Sequence, residues 1–146
     1  MTSDLPVQGS ETGTIYVLRS NSKHSIFEQH RDLIHKIGVT GGEVSVRISN
    51  AKADPTFLFA DVEVVATYKL FNINRAKLEA LLHRFFSAAR LDVEIPDRFG
   101  RPVKPREWFL VPLHVIDEVV GRIKDQTITD YVYDPGSAEL MKPKTG

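Results

Sequence analysis

Between residues 57 and 89 the hydrophobic period of the chain changes once, and that change restricts the fold more than any other feature. The stretch FLFADVEVVATYKL (57–70) is rich in β-branched and aromatic residues and reads as one long, mostly buried strand. The stretch NRAKLEALLHRFFSAA (74–89) then repeats apolar residues at helical spacing, with Leu78, Leu81, Leu82 and Phe85 on the inward stripe. A helix of this kind must lay its stripe on a sheet, so further strands are required to complete a core.

Two shorter runs supply them. TIYVLR (14–19) and LIHKIGV (33–39) read as strands. The polar connection between them, SNSKHSIFEQHRD, holds no clear crossover helix, so an antiparallel pair is expected. Alternation puts Ile15 and Val17 on one face with His35, Ile37 and Val39, and leaves Tyr16 and Lys36 together on the other. Gly38 shares that second face and is expected to leave space beside Lys36. Thr40-Gly41-Gly42-Glu43 fits a capping box that opens a helix, with Val39 and Val44 as its staple. Its two glycines would let a backbone or a phosphate approach free amide groups. Val44, Ile48 and Ala51 mark its buried stripe, Arg47 projects beside it, and Asp54-Pro55 ends it.

Further on, DRFGRPVKPR (97–106) reads as a basic loop, EWFLVP as a fourth strand and residues 113–124 as a helix. That helix turns Val115, Ile116, Val119, Val120 and Ile123 inward, and DYVYD (130–134) reads as a last edge strand. The expected fold is an α/β (α+β) domain, with a small, mainly antiparallel sheet flanked by helices and a C-terminal helix–strand extension. Residues 1–12 are expected to form a disordered leader, 13–134 a single domain and 135–146 a loose tail.

The 146 residues suit one hydrophobic core. With 42% hydrophobic and 26% charged residues the composition is that of a globular domain, and no apolar run is long enough to span a bilayer. The N-terminus is not of secretory type. The absence of cysteine removes disulfides, thiolate zinc sites and cysteine nucleophiles, and a reducing, cytoplasmic location is expected. The histidines at 24, 30, 35, 83 and 114 show no zinc-like helical pair. Zero formal net charge argues against a uniformly basic surface and leaves room for a local basic patch.

The order of these parts resembles the GIY-YIG nuclease superfamily. Thr14-Ile15-Tyr16 stands for the first signature, with Gly13 one place early, and Lys36-Ile37-Gly38 for the second. Lysine in place of the second tyrosine, with a late Glu107-Trp108-Phe109, is similar to the divergent phage-type branch, and the resemblance covers residues 13–112. It implies metal-dependent hydrolysis of DNA phosphodiesters with Mg²⁺ or Mn²⁺. Tyr16 would then stand near the attacking water, Arg47 near the scissile phosphate, and Glu79 would hold the metal. The histidine often found one turn after the arginine is Ala51 here, so the path of the proton stays open.

Two bases offer themselves. Tyr16 could serve if a cation such as Lys36 lowers its pKa, or Lys36 itself if burial lowers its own. Glu79 lies at the edge of the helical stripe, so folding is not expected to need it. His83, one turn on, reads as a surface residue. Arg98, Arg101, Lys104 and Arg106 are expected to hold a DNA backbone. Trp108 and Phe109 read as core. Two rival functions are a related module that grips nucleic acid without cutting it, and an interaction domain whose C-terminal helix and strand form a homodimer surface.

Overall fold

A computed structural model describes residues 8–92, 94–97, 99–104 and 106–143. The chain is a mixed α+β protein built on a four-stranded antiparallel sheet. In sequence order the elements are β1 (Glu11–Ser20), α1 (Ser25–His30), β2 (Ile34–Thr40) and the single-turn α2 (Val44–Arg47). Then come β3 (Val62–Ile73), α3 (Arg75–Phe85), β4 (Ile95–Pro96), β5 (Pro102–Val103) and β6 (Trp108–Leu110). Last are α4 (Leu113–Lys124), β7 (Val132–Asp134) and β8 (Glu139–Met141). The main sheet runs β3-β1-β2-β6, and the pairs β4–β5 and β7–β8 form separate small ribbons.

The register of β1 on β2 sets both faces. Ile15 lies opposite Val39 and Val17 opposite Ile37, and this face meets α3 and α4. Leu78, Leu81 and Leu82 of α3 pack there with all five inward residues of α4. Phe86 is fully buried while Phe85 is half-buried, so the core position expected of Phe85 passes to its neighbour. On the other face Tyr16 lies opposite Gly38, and Leu18 opposite Lys36. Ala51, Phe57, Val44 and Ile48 cover this pair, and Phe27, Ile34 and Trp108 continue the layer.

Several expectations fail for physical reasons. The capping box does not form: Thr40 still belongs to β2, Glu43 caps α2 without a side-chain bond, and the helix stops after one turn. Gly41 backs onto Arg75, where a Cβ would come within 2.5 Å of the guanidinium, so it does not cradle an anion. Strand β3 begins at Val62 and not at Phe57. The Asp54 carboxylate accepts the Thr56 amide, and Leu58 and Phe59 turn through left-handed conformations with φ of 62° and 54°. Phe57 is thereby thrown under Tyr16 and Lys36. β3 is an edge strand, and most of its residues are exposed or half-buried.

At the ends, β1 takes in Glu11 and Thr12, two residues of the expected leader; residues 1–7 lie outside the described residues. The tail is not loose over 139–141, where β8 pairs with β7; residues 144–146 lie outside the described residues. Tyr133 is buried against Phe86, with ring centroids 5.2 Å apart. Trp108 is core as expected, and its indole N–H donates to the Thr56 carbonyl at 3.0 Å.

Candidate functional site

The site forms where β6 begins. Its ladder with β2 runs from Ile34–Leu110 to Lys36–Trp108, and the Ile37 amide makes one more bond, to the Glu107 carbonyl at 3.3 Å. Beyond that point no strand among the described residues pairs with this edge of β2, and α3 lies there instead. The Val39 N–H donates to the Glu79 carboxylate at 2.9 Å. The Ile37 carbonyl accepts from His83 Nε2 at 2.7 Å. One turn of helix thus completes the ladder with side chains, satisfying two backbone groups that would otherwise be orphaned. A carbonyl only accepts, so Nε2 of His83 is the donor in this bond.

Glu107, just before β6, closes the group. Ligand atoms of Glu79, His83 and Glu107 all lie within 4.8 Å of one another, and all three residues are half-buried. Two carboxylates and an imidazole suit a hard or borderline divalent cation such as Mg²⁺ or Mn²⁺, with water or phosphate oxygens in the remaining positions. The sequence pointed to Glu79. It missed His83, read as surface, and it saw Glu107 only as part of a motif. The spacing of Glu79 and His83, four apart on one helical face, is the signal that could have joined them.

Beneath this rim are Tyr16 and Lys36. Lys36 is fully buried, with Nζ 3.3 Å from Glu107 Oε1 and about 5 Å from the centroids of the Phe57 and Tyr16 rings. Burial lowers its pKa from the ordinary lysine value, and the Glu107 carboxylate opposes the shift. Tyr16 is 1% exposed. Burial raises its phenol, and the Arg47 charge acts in the opposite direction. Of the two bases left open by the sequence, Tyr16 thus has its phenol pushed up, with Arg47 as the cation that opposes the shift, and Lys36 has its ammonium pushed down. Nor is there open space at Gly38. The Tyr16 ring fills it, and a Cβ at that position would lie 2.4 Å from the phenol oxygen.

Arg47 sits at the mouth, 38% exposed, with its guanidinium 5.0 Å from the Phe57 ring centroid and 3.9 Å from Asp54. The charges of Arg47, Glu79 and Glu107 all bear on both Tyr16 and Lys36, so the four residues expected from sequence do converge, and two more join them. Arg101, Lys104 and Arg106 are exposed along the β4–β5 ribbon and the turn that follows; Arg98 lies outside the described residues. His35, on the opposite face, belongs to the core. Its Nδ1 donates to the Val111 carbonyl at 2.8 Å, and burial lowers its pKa.

Among the described residues no helix is long and apolar enough to cross a membrane. No solved structure matches the chain. The uncharacterized protein YeeC of Bacillus subtilis (strain 168) is 43% identical over 113 residues, which cover 75% of this chain and 29% of that protein. The chain therefore spans less than a third of the length of this relative. The family comparison corrects the resemblance drawn from the Ile-Tyr and Lys-Ile-Gly signatures: the matching domain is a distinct one, and it runs through α4. Over residues 13–124 the chain matches the T5orf172 domain, and it belongs to that family.

Proposed function

We propose that the rim formed by Arg47, Glu79, His83 and Glu107 hydrolyses phosphodiester bonds in DNA with the help of one divalent cation. The observation that supports this reading is the convergence of two carboxylates and an imidazole within 4.8 Å, beside a partly exposed arginine. Glu79, His83 and Glu107 would hold Mg²⁺ or Mn²⁺, which neutralises phosphate charge and makes a bound water more acidic. Arg47 offers two N–H groups to the non-bridging oxygens, and its charge opposes the build-up of negative charge in the transition state. The Phe57 ring limits the rotamers of that guanidinium, so less freedom is lost on binding.

Tyr16 and Lys36 take positioning roles in this scheme. At 1% and 0% exposed they do not reach a substrate, but Lys36 holds Glu107 in place and the Tyr16 phenol supports Arg47. With its pKa raised, Tyr16 stays protonated at neutral pH and is no base. That same burial favours a second reading, a module that binds DNA without cutting it.

Supercoiled plasmid incubated with the protein and Mn²⁺ or Mg²⁺ should be nicked, and EDTA should abolish nicking. An Arg47→Ala protein should bind the plasmid more weakly and nick at least about tenfold more slowly. A folded protein that retains plasmid but gives no metal-dependent breaks would overturn hydrolysis in favour of binding alone.

A further inference from the structure

Behind the rim, where α3 runs out, lies a second concavity of about 400 Å³ lined by Ser87, Arg90, Leu91, Asp92, Lys104 and Arg106. Its walls are tied to the candidate site. The Leu91 amide donates to the Trp108 carbonyl at 2.8 Å, and Arg90 bridges to Phe109, so this segment is fixed alongside β6. The Arg90 guanidinium donates to the His83 carbonyl at 3.4 Å and sits 5.5 Å from the Phe109 ring, against which the His83 ring also packs at 5.4 Å. Arg106 immediately precedes Glu107. The cleft and the rim are thus two sides of one short wall.

Its charge is one-sided. Acidic and basic residues are balanced at 19 each, and Lys36, Arg47, Lys52 and Arg75 all have a carboxylate within 4 Å. Among the described residues, Arg90, Lys104 and Arg106 have none, and three cations face the single carboxylate of Asp92. Unpaired cations in one concavity repel each other, a cost that an anionic ligand removes. Two guanidinium forks and a hydroxyl match the oxygens of a phosphodiester.

We infer that this cleft holds one or two backbone phosphates of the same DNA that the rim engages, and so sets the register of the strand at the scissile bond. The inference rests on the proposed function for its choice of DNA. It also narrows the binding surface expected from sequence, replacing the whole loop with Lys104 and Arg106 and adding Arg90.

The test measures duplex DNA binding by fluorescence anisotropy in EDTA, across a salt series, in parallel with plasmid nicking in Mn²⁺. The triple variant Arg90→Gln, Lys104→Gln, Arg106→Gln should bind at least tenfold more weakly at low salt. Its plot of log affinity against log salt should be flatter by about 1 to 2, the loss expected for one or two phosphate contacts. Lys124→Gln, a charge change on α4 away from the cleft, should leave the slope as it is. If the triple variant melts early because Arg90 also braces Phe109, the double variant Lys104→Gln, Arg106→Gln should still flatten the slope by about 1. An unchanged slope in folded variants, or a parent protein that does not bind duplex DNA at low salt, overturns the cleft. A flattened slope with no nicking by the parent upholds the cleft and removes the hydrolase. Nicking with an unchanged slope does the reverse.

Discussion

Replacing Glu79 separates two jobs that its carboxylate performs at once. It accepts the Val39 N–H at 2.9 Å, and it belongs to the trio that would hold a cation. Sequence alone assigned it no part in folding, since Leu78, Leu81 and Leu82 already fill the stripe. The bond to β2 changes that expectation. A hydrogen bond to a charged acceptor contributes about 1.5–3 kcal/mol. Glu79 is half-buried, so water recovers part of the loss, and Glu79→Ala should cost about 1–2 kcal/mol. For a chain of this length that lowers Tm by about 3–8 °C. Glu79→Gln keeps a carbonyl oxygen for the Val39 amide and should lose less than about 1 kcal/mol, yet a neutral amide holds a divalent cation poorly. The two variants should therefore separate in thermal melts and coincide in nicking assays, both slowed about a hundredfold or more. An alanine variant that melts with the parent would refute the side-chain ladder. A glutamine variant that nicks at the parent rate would refute the metal role.

Gly38→Ala puts a methyl group 2.4 Å from the Tyr16 hydroxyl, so the ring must shift; we expect a loss of about 1–3 kcal/mol by denaturant titration, and a stability equal to the parent would show that the ring has room. Lys36→Met swaps a buried ammonium for an apolar chain of similar shape; Tm at neutral pH should hold or rise, while nicking falls about tenfold because Glu107 loses its tether. The pH dependence of the same variant checks the cause. The folded pKa of Lys36 lies below the ordinary 10.5, so between the two values the unfolded chain binds more protons and the parent gains stability as pH rises. Lys36→Met should lack that gain as pH rises toward 10.5, and parallel curves would count against the buried cation. His35 works likewise at acid pH. Its folded pKa lies below 6.5, so its contribution is present above that value and is lost as pH falls through the folded pKa; a His35→Gln variant should show a shallower acid slope, and an identical slope would mean that another group sets it.

The parts of the fold that sequence disclosed were those fixed by local period. Alternation alone put Tyr16 and Lys36 on one face, and the register of Tyr16 with Gly38 agrees. The stripes of α3 and α4 were equally plain. What stayed hidden depends on where partners stop. His83 looked like surface because nothing in its neighbourhood says that the pairing of β2 with β6 stops at Lys36 and leaves the Ile37 carbonyl free. Glu107 needs both that strand end and the buried lysine to have a meaning. The apolar run 57–61 looked like strand because hydrophobicity does not reveal left-handed turns at Leu58 and Phe59. The β7–β8 ribbon is legible in Asp134-Pro135-Gly136-Ser137, a turn sequence between two short strands.

Because Glu79 and His83 reach β2 through its main chain, the seating of α3 and the assembly of the rim are one event. The groups involved are dispersed from residue 16 to residue 107, and none is of use alone. A chain still being synthesised, or one whose third helix has swung away, carries every reactive side chain and no constellation. Any chemistry at this rim thus acts as a coincidence detector: it reports that two strands, two helices and the start of β6 have met. Conditions that release α3 should silence it while most of the sheet is still intact, and redocking should restore it without repair.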